Sequence, residues 1–441
     1  MTSTQNQPQQ PLRLWLASHP RTASNLFLRL LEATEKIEQK RYACVDAFFR
    51  GPERQTGKGG KTIPLLSDDN TATMTYQRAL DEYQMWLVET EAKGKIPLIK
   101  EHTCLITPSA TINAYINDYR DTKPSPVVVD NMIDVRETNS RNLLFPVANH
   151  TVFPDRFLAT LTPIIIIRHP AKIAYSYARV DRALGLQPSV DPDYPMVVSM
   201  KWQRMIYDFY AAFFAANPRS DEDRKAITPV VIDGDRLVAN TRYQMEELCR
   251  RLGLDTSVVA YSWEAIDIPY DNDGARAYIE KVCKSTGVIH DPDALKPIDI
   301  EQEAKKWAEE WDEQSAARMK STVYLQLPAI LQVQLYNAAR LKAIDLVFQS
   351  AIPAQKVDHS MTSTLGLLQA QLARMLGAWV EDEGKNYRSG EMVLRPAQDV
   401  SSAVAEEEAS DQFKDSEGVG HRLEMSESPQ GARNVTITDV I

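Results

Sequence analysis

Four consecutive isoleucines, Ile164–Ile167, constrain the fold of this chain more than any other feature of its sequence. A strand that is apolar at every position, rather than at alternate positions, is stable only when both of its faces are buried. A helical pattern begins at about Ala171, shortly after the run ends. Strands that lead straight into helices are typical of α/β proteins, whose helices cover both faces of a parallel sheet. The sequence therefore predicts a strand over Pro163–Arg168 within such a sheet.

Short apolar runs predict three more strands, at Leu12–Ala17, Ile96–Lys100 and Ile227–Asp233. After the first of them, apolar residues at helical spacing predict a helix. These residues are Leu26, Leu30, Ala33 and Ile37. Another helix is predicted at Tyr243–Leu252, where Gly253 provides the stop signal. The predicted fold class is therefore α/β, a three-layer sandwich with a central, mostly parallel sheet flanked by helices.

Composition divides the chain into four regions. The Gln/Pro-rich start, 1–11, is predicted to be disordered, and 12–350 is predicted to form the α/β domain. Residues 351–380 carry an apolar stripe, which predicts an amphipathic helical extension packed on the core. The last region, 381–441, holds 14 Asp and Glu against 6 Lys and Arg, and it accounts for most of the formal net charge of −10. Such an acidic, Ser/Glu-rich segment is typical of a disordered tail.

The overall composition narrows the class of protein. Without the tail the chain is near neutral, which argues against nucleic acid as a partner. Four cysteines without a C-x-x-C pair predict reduced, buried thiols rather than a disulfide framework. No run approaches the roughly 18 apolar residues that a membrane span needs, and the N-terminus lacks the apolar stretch of a signal peptide. We therefore expect a cytoplasmic protein without a membrane span, and the sequence leaves open whether it forms a homo-oligomer.

The turn after the first predicted strand has the composition of an anion site. It reads Ser18-His-Pro-Arg-Thr-Ala-Ser-Asn-Leu26 and leads into a helix, whose first N–H groups and dipole attract negative charge. Ala23 lets the backbone approach a ligand closely. Ser24 and Asn25 can donate hydrogen bonds, and Arg21 adds a fixed positive charge with forked donors. Many strand–helix turns share this composition, so the turn alone does not establish a ligand.

Two more strand ends carry groups of the same kind. Arg168 ends the isoleucine strand, and Ser176 follows eight residues later in the next helix. Ligands of open α/β sheets bind beyond the carboxyl ends of the strands, so Arg168 can hold a phosphate there. Lys100 and His102 alternate along another strand end and therefore share a face. A neutral histidine can take a hydroxyl proton, and a lysine can stabilise developing negative charge. Each residue taken alone is more typical of a structural contact than of a ligand site.

Together these segments resemble the sulfotransferases that use PAPS (3′-phosphoadenosine 5′-phosphosulfate) as donor. Arg21-Thr-Ala-Ser-Asn25 is similar to the family's 5′-phosphosulfate loop, and Arg168-His-Pro170 with Ser176 is similar to its 3′-phosphate motif. Lys100-Glu-His102 resembles the family's Lys-Thr-His segment, whose histidine is the catalytic base. The resemblance covers roughly residues 12–350 and is strongest to divergent microbial or fungal members of secondary metabolism.

The resemblance implies a P-loop-like fold and transfer of a sulfuryl group from PAPS to a hydroxyl of a small molecule, such as a secondary metabolite. It implies that His102 removes the acceptor proton, while Lys100 and Arg21 stabilise charge. The donor-binding residues that it implies are Arg21, Thr22, Ala23, Ser24, Asn25, Arg168 and Ser176. No metal is expected, because side chains can neutralise the donor phosphates.

The chain departs from the family pattern at three points. Arg21 stands where a lysine is common, and Ala23 stands where a glycine is common. The segment 104–150 is longer than in compact members, which leaves the acceptor pocket unaligned. The family's glycine-rich loop at the 3′-phosphate has no clear counterpart. Lys305-Lys306-Trp307 is a candidate for it, and an amphipathic helix with exposed lysines explains the same residues equally well.

Other interpretations of the sequence stay open. A P-loop kinase or nucleotide hydrolase needs a Walker lysine, but Gly57-Lys-Gly-Gly-Lys-Thr62 has Gln55 where that pattern requires glycine. A protein that keeps the fold without catalysis is a second alternative. An enzyme that sulfates a hydroxyl in order to eliminate it is a third. The aromatic residues between Tyr194 and Phe214 are interpreted as core, and Lys172 is expected on a solvated helix face.

Overall fold

The computed structural model describes residues 11–327, apart from 54, 56–72, 117–123, 132–142, 184, 192, 218–228 and 269–272, together with three strands between 412 and 440. The chain divides into two compact units, Met1–Ala351 and Ile352–Ile441. Residues 1–10 of the predicted disordered start lie outside the described residues, as does the whole predicted helical extension, 351–380.

The first unit contains a sheet of five parallel strands in the order β2-β3-β1-β4-β5. The strands are β1 Leu14–Ser18, β2 Ile37–Arg41, β3 Ile96–His102, β4 Thr162–Ile167 and β5 Val230–Asp233. Four of them overlap the four predicted strands. The central strand β1 lies between β3 and β4, and its Ser18 is paired with His102. The carboxyl ends of the strands therefore meet at one edge of the sheet, where open α/β folds bind ligands.

Helices cover both faces of this sheet. In chain order they are α1 Ser24–Leu30, α2 Val45–Phe49, α3 Tyr76–Ala92, α4 Ser109–Ile116, α5 Asp155–Leu158, α6 Pro170–Ala183, α7 Tyr194–Val197, α8 Lys201–Ala216, α9 Gly234–Ala239, α10 Thr241–Leu252, α11 Asp273–Cys283, α12 Ile300–Glu310 and α13 over 313–327. The prediction of a central parallel sheet flanked by helices is confirmed.

The isoleucine run of β4 is buried on both faces, as its composition predicts. Ile164 and Ile166 belong to the core layer that contains α1 and α10. Ile165 and Ile167 belong to the opposite layer, which contains α3, α6 and α8. None of the four is more than 2% exposed. Since burial of one isoleucine is worth roughly 1.5–3 kcal/mol, the run anchors β4 in the interior of the sheet.

The aromatic residues of α8 belong to the core. Trp202 is 1% exposed and Tyr210 is fully buried. The Tyr210 hydroxyl donates to the Leu158 carbonyl at 2.8 Å, and its ring centroid lies 5.9 Å from that of Trp15 in β1. These contacts satisfy the polar atom of a buried tyrosine and attach α8 to the sheet. The interpretation of this aromatic segment as core is confirmed.

The prediction of a helix that extends from Leu26 to Ile37 is wrong. Helix α1 ends at Leu30, and Leu31 already has a φ of −111°. Ile37 instead begins β2, whose other residues are half-buried or exposed. A strand at the edge of a sheet can be polar along most of its length, so the apolar pattern does not reveal it. By contrast α10 ends as predicted, with Gly253 in the left-handed conformation at a φ of 66°.

The four cysteines are free and buried, as predicted. Within the described part of the chain, no helix combines the length and apolarity that a bilayer crossing requires.

The second unit contains an antiparallel sheet in the order β6-β7-β8. Its strands are β6 Gln412–Lys414, β7 Gly420–Glu427 and β8 Arg433–Val440. They lie in the range 381–441, for which the sequence predicts a disordered tail. The alternation Val435-Thr-Ile437 in β8 has the period of two that is typical of strands, and the acidic composition of the region hides it. The rest of that range lies outside the described residues.

Candidate active site

The turn between β1 and α1 has an unusual backbone. Arg21 and Ala23 both have a φ of 67°, in the left-handed region, which costs an L-residue roughly 1–2 kcal/mol. The buried Thr22 hydroxyl donates to the His19 carbonyl at 2.7 Å. Gly234 at the start of α9 lies so close that a Cβ there would be 2.3 Å from the Thr22 carbonyl oxygen. These contacts restrict the turn to one conformation. The turn leads into α1, whose first N–H groups have no acceptor within the helix.

Arg21 projects from this turn toward α6 and α11. Its Nε donates to the Ser176 hydroxyl at 2.8 Å, and its Nη1 donates to the Tyr278 carbonyl at 3.1 Å. Its guanidinium also lies 5.9 Å from the centroid of the Tyr278 ring. Burial lowers the pKa of Arg21, although an arginine keeps its charge at any physiological pH. The turn therefore holds a positive charge whose described partners are neutral.

Arg168, directly after β4, lies beside this turn. Its Nη1 donates to the Arg21 carbonyl at 3.0 Å, and its Nε donates to Asp235 at 2.9 Å. Lys172 also contacts the Asp235 carboxylate, at 3.1 Å, and donates to the Ala294 carbonyl. The expectation that Lys172 lies on a solvated helix face is therefore wrong. Its partner Asp235 lies at the start of α9, 63 residues further along the chain, and the sequence does not connect that position with α6.

A cavity of about 440 Å³ opens above these residues. On the side of the sheet it is lined by Arg21, Ala23, Ser24, Asn25 and Arg168. The opposite wall comes from α11 and the segment after it, and its polar members are Tyr278, Lys281, Ser285, His290 and Asp291. Two predicted anion-binding positions from separate strand ends thus share one cavity. We call it the donor cavity, after the PAPS donor that the sequence resemblance implies.

Lys100 is fully buried beneath the same turn. Its Nζ donates to the Asn25 side-chain carbonyl at 2.5 Å and lies 4.7 Å from the centroid of the Tyr42 ring. Burial lowers the pKa of Lys100 well below its ordinary value, and the charge of Arg41 lowers it further. The direct contacts of this buried ammonium, an amide and a ring, carry no negative charge, and the nearby Glu101 offsets the fall in pKa only in part. A bound anion would supply the missing negative charge.

His102 ends β3 on the same face as Lys100, as predicted. Its Nδ1 lies 2.9 Å from the Ser18 hydroxyl, whose oxygen lies 3.1 Å from the Glu101 carbonyl. Ser18 has one proton, so both contacts are hydrogen bonds only if Ser18 donates to Glu101 and accepts from Nδ1–H. Nε2 then carries the lone pair. Burial lowers the pKa of His102 well below 6.5, and Lys100 lowers it further, so the imidazole is neutral at pH 7.

His102 lines a second cavity, of about 310 Å³, and the lone pair of its Nε2 can accept a proton. This cavity, which we call the acceptor cavity, is lined by His102 and mainly by apolar and aromatic side chains. Among these are Tyr42, Val45, Phe49, Leu105, Tyr177, Ile266 and Ile279. Five residues line both cavities, namely Arg21, Ser24, Asn25, Tyr278 and Val282. The two cavities therefore adjoin at Arg21 and Asn25.

Comparison of the chain with known proteins finds similarity to proteins named sulfotransferase. The chain is 25% identical over 347 residues to sulfotransferase ppzF of Metarhizium majus, covering 76% of this chain and 98% of the relative. It is 26% identical over 316 residues to sulfotransferase ppzF of Metarhizium rileyi, covering 69% of this chain and 89% of that relative. The chain is similar to sulfotransferases. No protein-family model matches it.

Three predicted site residues line neither cavity. The Ser176 hydroxyl accepts from Arg21, and Lys100 donates to Asn25. Thr22 uses its hydroxyl within the turn. A direct contact of Thr22 with a ligand would have to come from its backbone. The structure thus groups the predicted residues around two adjoining cavities, with Thr22 as the one whose side chain serves the turn itself.

Sequence reasoning missed the wall formed by α11 and the segment after it. No motif identifies Lys281 or His290, which lie more than 100 residues beyond the last predicted site residue, Ser176. The segment Lys305-Lys306-Trp307 does not line the donor cavity. Trp307 is fully buried, and Lys306 is exposed and paired with Glu303. These residues form the amphipathic helix that the sequence offered as the second explanation.

Tyr42 was also missed, because its position depends on its backbone. It has a φ of 56°, which a bulky residue seldom adopts. Its ring centroid lies 4.8 Å from that of His102. The glycine-rich segment Gly57–Thr62, which was compared with the Walker pattern above, lies outside the described residues. Among the residues that the structure describes, no cluster of three or more His, Cys, Asp or Glu side chains is arranged to hold a metal.

Proposed function

We propose that this protein is a sulfotransferase that moves a sulfuryl group from PAPS to a hydroxyl of a small molecule. One observation carries the proposal: Arg21 and Arg168 share the donor cavity, and a neutral histidine lies in the cavity that adjoins it at Arg21. Similarity to two proteins named sulfotransferase supports the same reaction type. The P-loop-like fold that the resemblance implies is part of this proposal.

The charges of the site fit a doubly anionic nucleotide. The described contacts of Arg21 are to a hydroxyl and a carbonyl, and those of Lys100 are to an amide and a ring. Arg21 is half-buried and Lys100 is fully buried, and neither makes a described contact with a carboxylate. Loss of solvent disfavours both positive charges, and an anion between them favours both. Phosphates and sulfate esters suit the forked donors of arginine and the backbone N–H groups of a helix start.

We assign the two sides of the donor cavity to the two ends of PAPS. The turn from Arg21 to Asn25 holds the 5′-phosphosulfate, with Lys100 beneath it. Arg168 holds the 3′-phosphate, and Ser176 fixes the direction of the Arg21 guanidinium. Lys281, on the opposite wall, is the cation that we assign to the place of the missing glycine-rich loop.

In the proposed reaction His102 Nε2 takes the proton of the acceptor hydroxyl. The acceptor oxygen forms a bond to sulfur while the bond from sulfur to the 5′-phosphate oxygen breaks. The products are a sulfate ester and the desulfated nucleotide PAP, and the proton remains on the imidazole until solvent takes it. Arg21 and Lys100 stabilise the negative charge that develops on the leaving phosphate. As in phosphoryl transfer, positioning and charge stabilisation do most of the catalysis.

The acceptor cavity favours a small molecule with an apolar body. Its lining is mainly aliphatic and aromatic, and it also includes His102 and four charged side chains, Arg21, Arg29, Glu32 and Arg41, of which Arg21 adjoins the donor cavity. A pocket with few, convergent polar groups orients one hydroxyl while the rest of the ligand is desolvated. A secondary metabolite with an apolar body and a reactive hydroxyl is the acceptor class that we propose.

Ligand binding and product analysis test the proposal together. Thermal shift should show stabilisation by PAP at concentrations where ATP with Mg²⁺ has several-fold less effect. Incubation of PAPS with panels of phenols and alcohols should yield products that carry an added sulfonate by mass spectrometry. A product that has instead lost water would identify sulfation followed by elimination. Stabilisation by ATP with Mg²⁺ and not by PAP would overturn the proposal.

Two variants separate binding from chemistry. His102→Ala should lower kcat by about 10²–10⁴, the usual contribution of a general base, with little change in PAP affinity. Arg168→Ala should mainly weaken PAP binding. His150→Ala, at an exposed histidine away from both cavities, is the matched control and should keep full activity. Full activity of His102→Ala would show that the histidine is not the base.

A further inference from the structure

A fully buried carboxylate, Glu101, lies between the two residues of β3 that face the site. Since side chains alternate along a strand, Glu101 points away from Lys100 and His102, toward the layer that contains α3. Its Oε1 accepts from the His102 N–H at 3.0 Å. Its Oε2 accepts from the Cys44 N–H and from the Tyr83 hydroxyl, each at 3.0 Å. The carboxylate thus joins three segments of the chain.

Two of these segments carry parts of the acceptor cavity. The His102 N–H belongs to the strand end that presents the imidazole. The Cys44 N–H belongs to the turn after β2, two residues beyond Tyr42, whose ring faces both Lys100 and His102. Tyr42 also donates its N–H to the Lys100 carbonyl at 2.9 Å. From the opposite face of the sheet, Glu101 therefore holds together two backbone segments, one that carries Tyr42 and one that carries His102. The rings of these two residues pack against each other.

The geometry of Tyr42 shows why such a fastening matters. Its φ of 56° costs a bulky residue roughly 1–3 kcal/mol, and a strained conformation persists only where neighbouring contacts impose it. The bond from Cys44 to Glu101 and the bond from Tyr42 to β3 are two such contacts. Without the first, the turn can relax and carry the Tyr42 ring away from His102.

We propose that Glu101 is a positioning residue of the transfer reaction, which orients His102 and Tyr42 by holding their backbone segments together. The inference rests on the proposed function for its kinetic consequence. Tyr83 and Cys44 approach Glu101 from the opposite layer, where the Tyr76 and Cys104 side chains are also close, while Lys100 and His102 occupy the other face. No acceptor or donor atom needs to touch Glu101 for this effect.

Glu101→Gln is the variant that tests the inference. Above its pKa of about 7 the Glu101 carboxylate accepts hydrogen bonds on both oxygens, so the kinetic comparison is made at pH 8. An amide accepts on one side only and places an NH₂ against an N–H on the other. The variant therefore loses the bond to His102 or the bonds to Cys44 and Tyr83. We expect kcat to fall by about 10- to 100-fold, the scale of a small misplacement of a catalytic group. The KM for PAPS and the affinity for PAP should change less than twofold.

Tyr76→Phe is the matched control. Tyr76 lies on the same helix as Tyr83, is equally buried, and donates its hydroxyl to the Leu105 carbonyl at 2.9 Å rather than to Glu101. Its loss also removes one buried hydrogen bond but leaves the three bonds to Glu101 in place, so it reports the effect of losing a bond in the same layer. We expect Glu101→Gln to lower kcat at least fivefold more than Tyr76→Phe does. Equal loss of kcat in the two variants would overturn the inference.

A readout without sulfuryl transfer keeps the inference apart from the proposed function. In the full chain, diethyl pyrocarbonate modifies histidines at rates that peptide mass spectrometry resolves, with exposed His150 as the internal reference. Release of the strand end should raise the modification rate of His102 relative to His150 by threefold or more in Glu101→Gln. An unchanged ratio would refute positioning by Glu101 even if the wild type transfers sulfate. A raised ratio in a protein that does not bind PAP would support positioning and refute the proposed function.

Discussion

Replacement of Glu101 by glutamine should change how the free energy of unfolding depends on pH. Burial raises the pKa of the Glu101 carboxyl from its ordinary 4.5 to about 7, and hydrogen bonds from Cys44, Tyr83 and His102 limit the rise. Between those two values the folded state holds the proton and the unfolded state releases it. The stability that Glu101 contributes is therefore present at low pH and is lost as the pH rises from 4.5 to about 7.

The size of the effect follows from that difference in pKa. At pH 5 the raised pKa is worth about 2.5 kcal/mol of stability, and at pH 8 it is worth about zero. Glutamine does not titrate, so the variant lacks this change. His19, whose pKa burial lowers to about 4, gives a slope of opposite sign, but it does so in both proteins. The difference in stability between wild type and variant isolates Glu101.

Urea unfolding followed by tryptophan fluorescence measures both proteins at pH 5 and pH 8. We expect the stability of the wild type minus that of Glu101→Gln to be about 2.5 kcal/mol smaller at pH 8 than at pH 5. Glu313→Gln, a change at an exposed glutamate, controls for loss of one formal charge. A difference that stays constant within about 0.5 kcal/mol would show that Glu101 is ionised across this range and would refute the argument from burial.

Three further predictions concern the two cavities. In Gly234→Ala, a Cβ 2.3 Å from the Thr22 carbonyl must displace the turn, so calorimetry should show at least tenfold lower affinity for PAP. Gly253→Ala strains a left-handed position with a φ of 66°, but its Cβ meets no atom within 4 Å, so it controls for lower stability and should bind PAP normally. Ser18→Ala removes the acceptor of the His102 Nδ1–H and should lower kcat by about tenfold without weakening PAP binding, as kinetics and calorimetry would reveal. Because burial lowers the pKa of His102 below 6.5, activity should stay constant as the pH falls through 6.5; a half-maximal kcat/KM at pH 6.5 or above would contradict this base.

The sequence predicts the parts of the fold that depend on apolar runs. Ile164–Ile167 can be buried on both faces only inside a sheet. In a parallel sheet the polar residues that follow each strand then lie along one edge of the sheet. The sequence therefore predicts that Arg21, Arg168 and His102 lie near one another. The edge strand β2 carries no such signal, since Ile37 is its one buried residue.

The remaining parts of the site depend on contacts between distant residues. In the sequence Glu101 is only the middle residue of Lys100-Glu-His102. Its hydrogen-bond partner Cys44 is 57 residues away, and no sequence pattern connects the two. The left-handed conformation of Tyr42 follows from its surroundings, because the residue type disfavours it. Lys281 and His290 reach the donor cavity only because α11 packs against α6 and α1. Residue types and spacing do not encode such meetings.

Arg21, Ser24, Asn25, Tyr278 and Val282 form a common partition between two compartments. A ligand that moves these side chains in one cavity also changes the lining of the other cavity. Occupancy of the two is then linked thermodynamically, so PAP must alter the dissociation constant of an acceptor by the same factor by which the acceptor alters that of PAP. In the proposed sulfotransferase, an acceptor that binds more tightly when PAP is present would therefore tighten the binding of PAP to the same extent.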